Sequence, residues 1–135
     1  MPAFSSRSLA HLDECHSLLQ IVAHEAIKMF DFAITDGHRG EAEQEKAYRL
    51  GYSKARWGQS PHNLAPSCAF DACPYPIDWD DLKRFNDMGK AMLEAAARVN
   101  VALTWGGNFK RFVDRPHFEL TDWRTIGRTN RKRIA

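Results

Sequence analysis

The sequence predicts an α+β domain, a small antiparallel sheet with helices packed against one face. Three observations predict it. Apolar residues recur at three- and four-residue steps in two long stretches, which marks helices with one buried stripe each. Short apolar runs bounded by turn residues read as strands, and they alternate irregularly with the helices. At 135 residues the chain has the length of one domain. That leaves too little for the repeated helical crossovers a parallel sheet requires.

The elements follow in order. Residues from Ser6 to Met29 read as one amphipathic helix, with Leu12, Cys15, Leu19, Val22, Ala26 and Met29 on its buried face. Phe32 to Thr35 is a short strand, and Gly37 permits the turn after it. Glu41 to Leu50 is helical and stops at Gly51, a C-cap residue. The text from Tyr52 to Pro76 is rich in Ser, Pro, Gly and Asn, an irregular stretch of the kind that carries function. A strand at Ala69 to Ala72 interrupts it. Asp78 is positioned to cap a helix running to Val99, whose stripe is Phe85, Met88, Met92, Ala95 and Val99. Val101 to Thr104 is a strand, Trp105 to Asn108 a turn, and His117 to Leu120 a last strand.

Composition excludes several classes of function. Apolar residues make up 44% of the chain, enough for a core, and the formal charge is only +2. No run is long and apolar enough to span a membrane, and the N-terminal stretch carries His11, Asp13 and Glu14 where a signal peptide needs an unbroken apolar segment. Arg124, Arg128, Arg131, Lys132 and Arg133 face no acid after Asp122, which divides the chain into a domain over 1–123 and a basic tail over 124–135. Charge confined to one end, with no accompanying motif, argues against a nucleic-acid partner. The three cysteines, Cys15, Cys68 and Cys73, are too few and odd in number for a disulfide framework and read as buried thiols. Cys68 and Cys73 flank Asp71, so a metal site using one of them stays open as an alternative.

Of the six histidines, His11, His16 and His24 fall in the first helix and read as surface or edge residues. His24-Glu25 begins like a zinc-helix signature, but Lys28 stands where the second histidine belongs. His38 follows the first strand and is placed to line a cleft. His62 lies in the irregular stretch, Asp71 on a strand, and His117 on the last strand with Asp114 just before it. Two histidines and a carboxylate make a three-ligand zinc site with the fourth position open for water. Asp114 is then placed to act as the general base. The alternative is that His62 caps a loop and Asp71 pairs with an arginine.

Four ordered blocks sharpen this. They are Gly37-His38-Arg39 with Gln44 five residues after the arginine, Ser60-Pro61-His62, Ala69-Phe70-Asp71, and Asp114-Arg115-Pro116-His117 preceded by Trp105-Gly106-Gly107-Asn108. Together they make the chain resemble the zinc D-Ala-D-Ala and L-alanyl-D-glutamate peptidases, which share a fold with the hedgehog signalling domain. The resemblance runs from about Phe32 to Leu120. It implies that His62, Asp71 and His117 bind Zn2+ and that Asp114 is the catalytic base and acid. It implies that Arg39 holds substrate or the oxyanion, that Ser60 orients the first metal-binding loop or contacts substrate, and that Gln44 supports the Arg39 turn. The segment Asn63 to Cys68 is two residues longer than the family's commonest spacing, and the base is Asp rather than the Glu of several branches.

The expected substrate is bacterial peptidoglycan and the expected state a monomer. A small, unanchored member resembles the phage endolysins, made in the host cytoplasm and reaching the wall once a holin opens the inner membrane. An L-alanyl-D-glutamate endopeptidase is the first expectation. The alternatives are a D-Ala-D-Ala carboxypeptidase and a non-catalytic wall-binding or virion module on the same fold. The basic tail would adhere to anionic envelope polymers or be a solvated end.

Overall fold

A computed structural model describes residues 2–134, with side chains as far as Arg128. Five α-helices and four strands alternate as α1 (Ser6–Asp13), α2 (Ser17–Ala26), β1 (Phe32–Asp36), α3 (Glu41–Arg49), β2 (Ala69–Pro74), α4 (Leu82–Arg98), β3 (Leu103–Trp105), β4 (His117–Leu120) and α5 (Trp123–Ile134). Short 3-10 turns occupy Pro61–Asn63 and Gly106–Asn108. The strands form one antiparallel sheet in the order β1-β2-β4-β3. The α+β expectation therefore holds.

Alternation along the strands separates a core face from a site face. Phe70 and Ala72 of β2 and Phe118 and Leu120 of β4 are buried with the apolar stripes of α2 and α4. The ring of Phe118 lies against Phe70 and stacks on Trp105. The intervening residues Asp71, His117 and Glu119 point to the other face, as the two-residue period of a strand requires. Asp71 and His117 are direct cross-strand neighbours.

Strand β2 runs on to Pro74, and Trp105, expected in a turn, ends β3; three further boundaries differ from expectation, each for a local reason. The first helix is two helices, because the chain at 14–16 pairs with Ser67 instead: Ser67 N–H donates to Glu14 O, and His16 N–H donates to Ser67 O, both at 2.8 Å. The buried stripe survives the break, since Leu12, Cys15, Leu19, Val22 and Ala26 all stay in the core. The α4 cap is Asp81, not Asp78. The Asp78 carboxylate accepts from Asp80 N–H and closes a turn, so the helix starts later, with Asp81 accepting from Arg84 N–H. Strand β3 begins at Leu103 because Asn100, at φ 59°, and Val101 close the end of α4, Val101 N–H donating to Ala96 O.

Helix α5 runs across the 123/124 boundary, with Trp123 buried and Ile126 packed on the core. The side chains of Arg131, Lys132 and Arg133 lie outside the described residues. Among the described residues no helix is long and apolar enough to cross a membrane.

Candidate active site

The site is assembled from strand pairing and one capped turn. Pairing of β2 with β4 sets Asp71 beside His117. The 3-10 turn delivers His62: the Ser60 hydroxyl caps it by accepting from His62 N–H at 3.2 Å, with Pro61 in its first turn. The turn is tied to the β1 exit by Arg39 N–H donating to His62 O at 2.8 Å. His62 is 2% exposed.

Second partners fix both rings. His62 Nδ1 lies 2.7 Å from the Gly37 carbonyl, which can only accept, so Nδ1 carries the hydrogen and Nε2 turns a lone pair inward. His117 Nε2 lies 2.6 Å from a Glu119 carboxylate oxygen, which turns His117 Nδ1 inward. The inward atoms are then His62 Nε2, His117 Nδ1 and Asp71 Oδ1. The two nitrogens are 3.3 Å apart, and Asp71 Oδ1 is 3.3 Å from the first and 3.5 Å from the second. Asp71 Oδ1 is buried and has no hydrogen-bond partner.

Three acceptors facing one another call for a positive charge between them. The same excess acts on the titration of the groups. Burial pushes the His117 ring down, but Asp71 and Glu119 more than reverse this and lift it to about 10. Burial also pushes the Asp71 carboxyl up, and the His62 and His117 rings more than offset that, holding it well below the usual carboxylate range. The donor set, with an unpartnered buried oxygen at its apex, fits a metal ion. The cysteine alternative does not fit. Among the described residues the convergent metal-ligating group is His62, Asp71 and His117. Cys15, Cys68 and Cys73 are buried thiols, with burial pushing Cys15 to about 12 and Cys68 to about 11.

Arg39 backs this centre. Its guanidinium donates to Asp36 at 2.8 Å, to Gln44 Oε1 at 3.1 Å and to the second Asp71 oxygen at 3.5 Å. Gln44 is fully buried; its oxygen also accepts from Asn63, and its amide donates to Ser53 and the Ala55 carbonyl. Arg39 is thus held from both sides and in turn holds Asp71.

Asp114 lines the same cleft, a cavity of about 440 Å³ that also exposes Arg39, Ser60, His62, Asp71 and His117. Its backbone is pinned: Asp114 N–H donates to Gly106 O, and His117 N–H donates to Asp114 O. A Cβ on Gly106 would collide with the Asp114 carbonyl oxygen, so the glycine permits this close approach. Burial, then the nearby Asp71 charge, raises the Asp114 carboxyl against the opposing pull of His117, His62 and Arg39. A carboxyl raised in this way is suited to trade protons. His38 is partly buried and is not part of this cleft's lining.

The family model described as phage L-alanyl-D-glutamate peptidase matches residues 2–121. The chain belongs to that family. Among the relatives of this family member is the peptidoglycan L-alanyl-D-glutamate endopeptidase CwlK of Bacillus subtilis (strain 168), 38% identical over 112 residues. That match covers 73% of this chain and 65% of CwlK, so the chain spans less than two thirds of that relative. The crystal structure of the Serratia marcescens L-Ala D-Glu endopeptidase ChiX superposes with a TM-score of 0.79 at 27% identity, covering 93% of this chain and 94% of ChiX.

Sequence reasoning missed four members of the site. Glu119 was legible, since in His117-Phe118-Glu119 the two polar residues share a strand face. Asp36, which stands opposite Asp71 after the irregularity in β1, pairs with Arg39 three residues on. Trp123 and Arg124 enter the cleft because α5 folds back onto the domain, which no local pattern announces.

Proposed function

We propose that the chain is a zinc-dependent peptidase that hydrolyses the L-alanyl–D-glutamate bond of peptidoglycan stem peptides. The observation that carries this is the spacing of the three inward atoms. Zinc bonds of about 2.0–2.1 Å in tetrahedral array have edges of about 3.3–3.4 Å. The observed separations are 3.3, 3.3 and 3.5 Å. Three protein ligands would leave a bound zinc ion open to water, and the names of CwlK and ChiX support the choice of bond.

His62, Asp71 and His117 would hold the zinc ion, which would supply Lewis acidity toward a carbonyl and a water. The chain's residues do the rest. Asp114 takes the proton from the attacking water and hands it to the leaving amine of D-glutamate. Its raised carboxyl lessens the cost of holding that proton between the two steps. Arg39 holds Asp71 in place, and its remaining donors are offered to the substrate carbonyl as negative charge builds there. Gly37 and Glu119 keep both imidazoles in the tautomers the metal needs.

The cellular reading follows the family. A phage L-alanyl-D-glutamate peptidase works as an endolysin, made in the host cytoplasm and acting on the wall after the inner membrane is opened. The test is digestion of purified Gram-negative peptidoglycan with and without a chelator, followed by mass spectrometry. New D-glutamate amino termini that appear only when zinc is available are the expected result. Loss of terminal D-alanine would make the chain a carboxypeptidase. Bound zinc with no fragments would leave a wall-binding module.

A further inference from the structure

The cleft continues beyond the metal-binding centre. Trp123 and Arg124 line it, and both also line a second cavity of about 370 Å³. Gln59 belongs to both as well, so the two form one groove. The second cavity is completed by Leu64, Gly127 and Arg128.

Two pieces of chain build this extension. One is α5, which begins at Trp123, beyond residue 121 where the family match ends. The other is the 63–68 segment, which leads from the His62 turn to β2. They pack on each other: a Cβ on Gly127 would come within 3.1 Å of Leu64.

The charge of the extension has one sign. Arg124 and Arg128 are four residues apart on α5, hence neighbours on one helix face, and both are exposed. Among the described residues no carboxylate lines the second cavity, and neither arginine has a carboxylate partner. The Arg124 guanidinium lies over the Trp123 ring at 4.4 Å. Arg39, Arg56 and Arg98 each pair with an acid, whereas Arg84 and Arg115 bond to neutral carbonyl or amide oxygens. In the main cleft the acids Asp71, Asp114 and Glu119 gather at the metal-binding centre, where Arg39 is already paired with Asp71 and Asp36, and Lys54 lies over the Phe112 ring. The groove therefore runs from an acidic, metal-binding centre to an unneutralised basic end.

A substrate cut between L-alanine and D-glutamate is asymmetric in the matching way. The alanyl side is neutral near the bond. The glutamyl side carries the free carboxylate of glutamate and those of the diamino acid that follows. Resting on the peptidase reading above, we propose that Arg124 and Arg128 form a subsite for the carboxylates on the glutamyl side of the scissile bond. Arginine suits this role, because its planar fork meets a carboxylate with two hydrogen bonds.

The test compares two soluble substrates, N-acetyl-L-alanyl-γ-D-glutamyl-meso-diaminopimelate and the same tripeptide with every carboxyl amidated, using the zinc-loaded full chain. For the free acid, the Arg124→Gln/Arg128→Gln double variant is expected to raise KM about tenfold, as two exposed ion pairs allow, with kcat little changed. For the amide its KM should match that of the parent chain. Arg124→Lys/Arg128→Lys should recover most of the loss, and added salt should weaken binding of the free acid more in the parent than in the glutamine variant. A parent that cleaves both substrates equally well, or a variant whose KM rises equally for both, overturns the subsite and leaves the peptidase reading standing. A parent that cleaves neither overturns both.

Discussion

At the scale of single residues, the site separates groups that hold the metal from groups that move protons. His117 is both a strand residue and a ligand donor. Its replacement by alanine removes one of three ligands, so His117→Ala is expected to lose zinc and turnover together. Metal content after dialysis checks this, and full occupancy in the variant would remove His117 from the ligand set. Asp114→Asn removes only the proton carrier. It should bind zinc like the parent and lose at least a hundredfold in kcat; a rate near that of the parent would place the base elsewhere. Glu119→Gln is the finer probe. The amide can still accept from His117 Nε2 but gives up the charge, so zinc affinity should fall about 10- to 100-fold. Competition with a chromogenic chelator measures it, and an unchanged affinity would reduce Glu119 to a bystander.

At the scale of elements, the sequence was most legible where period and chemistry agreed. The stripes from Leu12 to Ala26 and from Phe85 to Ala95 are buried as their spacing predicts. The strands carrying Asp71 and His117 stand where alternation and flanking turns put them. What stayed hidden was set by partners far along the chain. Ser67 breaks the first helix by taking its backbone hydrogen bonds, and nothing near Cys15 signals that partner. Gly37 has a similar history: the sequence suggested a turn glycine, whereas a Cβ there would meet the His11 carbonyl at 2.5 Å. It is small because β1 leaves the sheet against the end of α1. The segment from Gly106 to His117 is the element most open to test. Gly106→Ala sets a Cβ against the Asp114 carbonyl oxygen and 3.1 Å from His117 Cβ, so the segment must shift. Overpacking of this kind costs about 1–3 kcal/mol. A lowered melting temperature and a drop in kcat larger than the change in KM are expected. A variant that melts and turns over like the parent would show that Asp114 is not held through this contact.

At the scale of the whole molecule, the sheet divides the labour. Its inner face and the helices against it form the core. Its outer face carries a centre that joins three pieces of chain: the turn at 61–63, β2 and, much later in the sequence, β4. That layout has a thermodynamic consequence. Because His117 is remote in sequence from His62 and Asp71, an ion held by all three binds the folded chain and has no comparable site in the unfolded one. Binding therefore adds to stability by mass action, about 2.7 kcal/mol at a hundred times the dissociation constant. Zinc should raise the melting temperature of the parent chain, and a chelator should lower it. Asp114→Asn should show the same shift, because its ligands are intact, while His117→Ala should show little. This readout needs no substrate, so it tests the metal centre independently of the peptidase reading. If zinc left the melting curve of the parent where a chelator puts it, the convergence of His62, Asp71 and His117 would have to be explained by the protein's own hydrogen bonding. The buried Asp71 oxygen would then lack the cation that its surroundings call for.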